Sequence, residues 1–181
     1  MFDILDLPDH QTLLKLAERY PQLEIPALET WLKLMRLSAD CQNDLDRFLA
    51  EHELSQRRFF VLILLARNPG GLQVSQLARG TGVSCATMTG VVDGLVKAGQ
   101  VTRKACTEDR RCFVVKIAAA GMELLDRVLP QHYQRVSGIM APLDETEREQ
   151  LRALLTKLGR GLAALEPNGG SQGENDESCG L

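Results

Sequence analysis

At 181 residues and a net charge of −3, with 44% hydrophobic but only 4% aromatic residues, the chain has length for one ordinary helix-rich domain with its own core. No apolar run reaches the length of a membrane span, and the acidic start Met1–Asp6 is unlike a signal peptide, so a cytoplasmic protein is expected. Five cysteines without paired spacing fit reduced thiols better than a disulfide framework.

The acidity is uneven. Residues 1–30 hold six acids against two bases, and residues 166–181 hold four acids and no base, which leaves residues 31–165 at net +5. Asp9 to Tyr20 reads as a short amphipathic helix capped by Asp9 and ended before Pro21. Pro26 suits the first turn of a long helix through about His52. Its apolar side runs through Leu28, Trp31, Leu32, Met35, Ala39, Leu45, Phe48 and Leu49, and Cys41 is expected to pack. That is more apolar face than one small lobe can cover, which points to a dimer surface. Leu54 and Ser55 open the next helix, with Ser55 as N-cap. Phe60–Leu65 is apolar all round and should be buried. Asn68, Pro69, Gly70 and Gly71 then break the helix.

Leu72–Ile117 organises the rest. Val74–Arg79 is a short helix, and Gly80, Thr81 and Gly82 form a turn. Val83–Lys97 is a second helix, with Ser84 as N-cap and Gly99 as the left-handed residue past its end. Met88, Val91, Val92 and Leu95 line one face. Ala86, Gly90, Asp93 and Lys97 line the other, flanked by Thr87 and Thr89. Such a small polar face after a glycine turn suits a helix that enters a major groove. Two strand-forming segments follow, Val101–Cys106 and Cys112–Ile117. Arg103, Lys104, Arg110, Arg111 and Lys116 outnumber Glu108 and Asp109 there, a net +3. A basic ribbon beside a polar helix is a plausible duplex-binding pair.

Ala118–Met140 continues as a helix that Pro130 should kink or break. Asp144–Glu147 starts a last helix to about Leu165 with a capping box. Its stripe of Leu151, Leu154, Leu155, Leu158 and Leu162 is a second dimer surface. The Gly/Ser/acid-rich tail 166–181 is expected to be disordered.

The order helix, turn, helix and hairpin with Asp109, Arg110 and Arg111 at its tip resembles the winged helix–turn–helix of the multiple antibiotic resistance regulator (MarR) family. The likeness runs from roughly Leu54 to Leu158. It includes Val83, Ser84 and Thr87 opening the second helix and Leu95–Gly99 closing it. It implies a mainly α fold with a small β-hairpin wing, in four parts: dimerising helices at 1–53, a DNA-binding lobe at 54–118, dimerising helices at 119–165 and the tail. It also implies a homodimeric repressor on a palindromic operator, responsive to a small ligand or an oxidant. Arg111 would enter the minor groove with Asp109 orienting it, as a narrow groove concentrates negative potential.

The candidate DNA-binding residues are Ser84, Thr87, Thr89, Gly90, Arg103, Lys104, Asp109, Arg110 and Arg111. Where many relatives carry a long polar residue around Cys85 and Gly90, no arginine stands between Ser84 and Val96, so a bidentate guanine contact from this helix is missing. Met35, Phe48, His52 and Phe59 are candidates for an effector pocket, with ordinary core as the alternative. Cys85, in a helix first turn where the dipole favours an anion, and Cys106 and Cys112, beside the wing tip, are candidates for redox sensing. Inert thiols are the expectation. No Cys-x-x-Cys occurs, His10, His52 and His132 are isolated, and no phosphate loop or nucleophile elbow is present, so neither metal, cofactor nor enzyme activity is expected. The alternative function is a winged-helix protein-interaction module without DNA binding.

Overall fold

Asp9 caps the first helix, α1 (His10–Arg19), by accepting from the Thr12 N–H at 2.8 Å. Hydrogen bonds from the Thr12 side chain and then from its backbone N–H hold the Asp9 carboxyl below its ordinary pKa. α2 (Ile25–Ala50) follows with Pro26 in its first turn, where the missing N–H costs nothing. His10 Nδ1 lies 2.8 Å from Glu29 Oε1 and ties the two helices. The computed structural model describes residues 6–105 and 113–165 and divides into two compact units, Met1–Gln56 and Arg57–Leu181. In the first unit α1 buries Leu13, and α2 buries only Phe48 and Leu49 near its end. Trp31, Met35 and Leu37 stay exposed. Cys41, expected to pack, is exposed as well. A helix of 10 residues cannot cover one of 26.

The second unit begins within the first turn of α3 (Gln56–Ala66), which buries Phe59, Val61, Leu62 and Leu65. The expectation of burial all round fails at Phe60, which is 41% exposed. Gly71, at φ +88, turns the chain into a two-residue strand, β1 (Leu72–Gln73), that the sequence pattern does not announce. α4 (Val74–Thr81) and α5 (Cys85–Lys97) follow, then β2 (Val101–Ala105) and β3 (Phe113–Ile117). The three strands form an antiparallel sheet in the order β1-β3-β2, with Leu72 opposite Val115 and Arg103 opposite Val115 on its other side. A mainly helical chain with one small sheet is the fold class the pattern implied.

α6 (Ala119–Met140) changes character along its length. Gly121, Leu124, Leu125 and Val128 are buried in its first half, whereas Tyr133, Val136, Ile139 and Met140 are exposed in its second. Gly121 allows the helix to approach the end of α5. A Cβ there would collide with the Gln100 carbonyl, which already accepts from the Ala118 N–H at 3.0 Å. The helix does not break at Pro130. Proline removes one backbone donor, but Gln131 Nε2 reaches back to the Arg127 carbonyl at 3.1 Å, so an adjacent carbonyl gains a side-chain donor. α7 (Glu145–Leu165) begins with the expected capping box: Asp144 N–H donates to Glu147 Oε2 and Glu147 N–H to Asp144 Oδ1, each at 2.8 Å. Arg152 and Arg148 donate to Glu145 and hold its carboxyl below the usual range. None of the side chains of α7 is buried.

Candidate nucleic-acid interface

The interface starts from local chemistry in α4. Gln76 Oε1 accepts from the Gln73 N–H at 2.8 Å and so caps the helix entrance. At the exit Gly82 takes φ +68, and the Val83 N–H closes on the Ala78 carbonyl at 3.1 Å. An L side chain is strained in that left-handed conformation, so glycine serves the turn. Ser84 then caps α5: its hydroxyl accepts from the Thr87 N–H at 3.2 Å and lies 2.9 Å from the Thr87 hydroxyl.

The core fixes which way α5 faces. Met88, Val92 and Leu95 are fully buried, each a burial that stabilises by roughly 1.5–3 kcal/mol. Ala86, Thr87, Gly90, Asp93 and Lys97 are consequently exposed along the other side. Among the described residues nothing lies within 4 Å of where a Cβ on Gly90 would stand. Gly94 has a packing reason instead, because the Arg58 guanidinium of α3 sits 2.7 Å from where a Cβ would be. Of the candidate contacts on α5, Ser84 and Thr87 are exposed. Thr89 is partly buried, and its hydroxyl donates to the Cys85 carbonyl at 2.9 Å. Cys85 is half-buried at the first helical position.

Strand alternation sorts the β2 side chains into two sets. Val101, Arg103, Val115, Phe113 and Ile117 share one face of the β2–β3 ladder. Val101 and Val115 are buried at its base, while Arg103 and Phe113 are exposed further out. Thr102, Lys104, Val114 and Lys116 take the other face, with Lys104 exposed. Arg103 Nη1 donates to Asp93 Oδ1 of α5 at 3.1 Å, and its guanidinium carbon stands 5.1 Å from the Phe113 ring centroid. Sequence reasoning placed Asp93 and Arg103 near the interface without pairing them. The signal available was an acid on the outward helix face and a base on the strand just after a tight turn.

Asp109, Arg110, Arg111, Cys106 and Cys112 lie outside the described residues. The four candidate pocket residues fall in both units. In the first, Met35 is exposed, Phe48 is buried, and the His52 ring meets Phe48 edge-on at 5.0 Å. His52 Nε2 is buried and has no hydrogen-bond partner among the described residues. In the second, Phe59 is fully buried and meets His132 edge-on at 5.3 Å. Burial, and then the nearby Arg135 charge, lowers the His132 pKa. Among the described residues no group of three or more His, Cys, Asp or Glu could hold a metal ion, and no helix is long and apolar enough to cross a membrane.

Two helices across a glycine turn, with the second facing outward beside a three-stranded ladder, define a winged helix–turn–helix protein. Comparison with known proteins agrees. The MarR family model matches residues 54–113. The chain is 32% identical to an uncharacterised HTH-type transcriptional regulator, YkoM of Bacillus subtilis, over 60% of this chain and 70% of that protein. It is 28% identical to the HTH-type transcriptional repressor YetL of the same organism, over 91% of this chain and 99% of that one. Its fold is similar to that of the MarR family regulator Sco3205 from Streptomyces coelicolor, solved in complex with DNA, with a TM-score of 0.71 at 22% identity over 77% of this chain and 93% of that one. The chain belongs to the MarR family. It is a transcriptional regulator and not an enzyme.

Proposed function

We propose that this regulator is a repressor that binds a palindromic operator as a homodimer, with α5 in the major groove and the wing against the flanking duplex. The carrying observation is the exposed side of α5, where Ala86, Thr87, Gly90 and Lys97 are all free of the core next to a strand that bears exposed Lys104. Small side chains let a helix sit deep in a groove, and lysines at its edge neutralise phosphates. The DNA complex of Sco3205 and the repressor description of YetL support the same reading. The exposed leucines of α7 and the apolar second half of α6 supply surface for a second copy. A small effector, or an oxidant acting at Cys85, Cys106 or Cys112, would release the operator by changing the spacing of the two recognition helices. The effector pocket belongs to this proposal, with Met35, Phe48, His52 and Phe59 as its candidate residues.

Selection of bound DNA from a random pool, followed by footprinting, tests it: a two-fold symmetric site is expected. Arg111→Ala should then weaken binding by about 1–3 kcal/mol with the fold intact. Arg110→Ala should act across all sequences and lower the salt slope by about one. Asp109→Ala removes a negative charge near DNA, so plain electrostatics predicts tighter binding, whereas a role in orienting Arg111 predicts weaker binding. Mild peroxide that leaves affinity unchanged while modifying the cysteines would remove the redox element. One observation favours the interaction-module reading: no arginine stands between Ser84 and Val96. Parent-like DNA binding by all three wing variants would support it.

A further inference from the structure

We propose that Asp93 and Arg103 form a strut that sets the angle between the recognition helix and the wing, so that Asp93 is a positioning residue for DNA recognition and Arg103 is not a phosphate contact. The inference rests on the DNA-binding reading above. Its basis is one guanidinium that engages three elements. Arg103 belongs to β2, donates to Asp93 of α5 at 3.1 Å and lies 5.1 Å over the Phe113 ring of β3. The register explains why this is possible. Arg103 stands opposite Val115 and Ala105 opposite Phe113, so Arg103 and Phe113 are diagonal neighbours on one face of the ladder. The link from α5 to β2 is short, with Gly99 at φ +67, which leaves the end of α5 and the start of β2 few ways to diverge.

The charge pattern agrees. Asp93 projects from the side of α5 that would meet a polyanion, where an unpaired carboxylate repels phosphate. Pairing with Arg103 cancels that repulsion and also occupies the arginine. The side chains are 31% (Arg103) and 59% (Asp93) exposed, so the pair adds little to fold stability. Its consequence is orientational. A planar guanidinium that donates to a carboxylate while lying over a ring has few alternative poses, which a lysine ammonium cannot reproduce.

The experiment measures affinity of the parent, Asp93→Ala, Arg103→Ala, Arg103→Lys and the double alanine variant. Each is titrated with the site selected from the random pool and with a scrambled duplex, over a salt series. Thermal unfolding confirms that each variant is folded. Asp93→Ala should lower affinity for the selected site by on the order of 10-fold while leaving the scrambled duplex nearly unchanged. Arg103→Lys should lose the same selectivity. The double variant should be no worse than either single one, and the salt slope of Arg103→Ala should match the parent. Tighter binding of both duplexes by Asp93→Ala, together with a slope about one unit smaller for Arg103→Ala, would make Arg103 a phosphate contact and overturn the strut. Unaltered selectivity in every variant would overturn it too. A parent that binds neither duplex would sink the DNA reading itself. Amide hydrogen exchange without DNA then judges the strut: faster exchange in β2 and β3 of Asp93→Ala supports it, and parent-like exchange removes it.

Discussion

α5 and α7 carry similar apolar stripes and meet different fates. In α5, Met88, Val92 and Leu95 are fully buried. In α7, Leu154, Leu158 and Leu162 are 59%, 51% and 61% exposed. Helical spacing therefore reveals that a face is apolar without revealing what covers it. α6 holds both conditions in one helix, buried through Val128 and exposed at Tyr133 and beyond. Within one chain the hydrophobic effect has a partner for α5 and the first half of α6, and the proposed homodimer would supply one for the rest.

The sharpest way to break this contrast is to charge the α7 stripe. On the dimer reading, Leu154→Glu with Leu158→Glu removes two leucines from each of two protomers. At roughly 1.5 kcal/mol or more apiece that is about 6 kcal/mol of association free energy. Sedimentation should show a monomer that retains parent-like helicity by circular dichroism. An intact dimer would mean that α7 leans on nothing. The counterpart in α5 is Leu95→Ala, expected to cost about 2–5 kcal/mol of folding stability through a buried cavity. Denaturant midpoints would report it, and the loss should not depend on protein concentration.

A middle-sized effect probes the buried half of α6. Gly121→Ala places a methyl group on the Gln100 carbonyl, and backbone has no rotamer with which to escape. About 1–3 kcal/mol of destabilisation is expected by thermal unfolding. Little change would show that the start of α6 can shift.

What the sequence discloses follows the range of the interaction. Local chemistry is legible: Asp9, Ser84 and Asp144 all cap helices, and Gly99 takes the left-handed turn. These depend on residues within one turn of each other. β1 escapes notice because two residues show no period. Phe60 and Cys41 mislead because their surroundings depend on how far neighbouring elements extend. Among site residues, the outward placement of Ala86, Thr87, Gly90 and Asp93 is readable from the buried stripe opposite. The Asp93–Arg103 pair is not, because it needs the strand register and the helix end together. The reason for Gly94 lies in Arg58, a side chain on another helix.

The smallest effect sharpens the comparison most. Among the described residues nothing lies within 4 Å of where a Cβ on Gly90 of α5 or Gly159 of α7 would stand, and each glycine lies inside a helix. Alanine at either position should raise helix stability by up to about 1 kcal/mol, since glycine pays more backbone entropy than any other residue. That gain is a property of the isolated chain. If the outer side of α5 seats against DNA at Gly90, Gly90→Ala should unfold at higher temperature yet bind the selected duplex more weakly, because the methyl group holds the helix off the groove. Gly159→Ala should leave DNA affinity alone. Its unfolding midpoint should rise equally at low and high protein concentration if Gly159 faces water in the dimer, and rise less at high concentration if a second copy packs there. A matched rise in stability with no loss of binding at either site would place both glycines on faces that touch nothing.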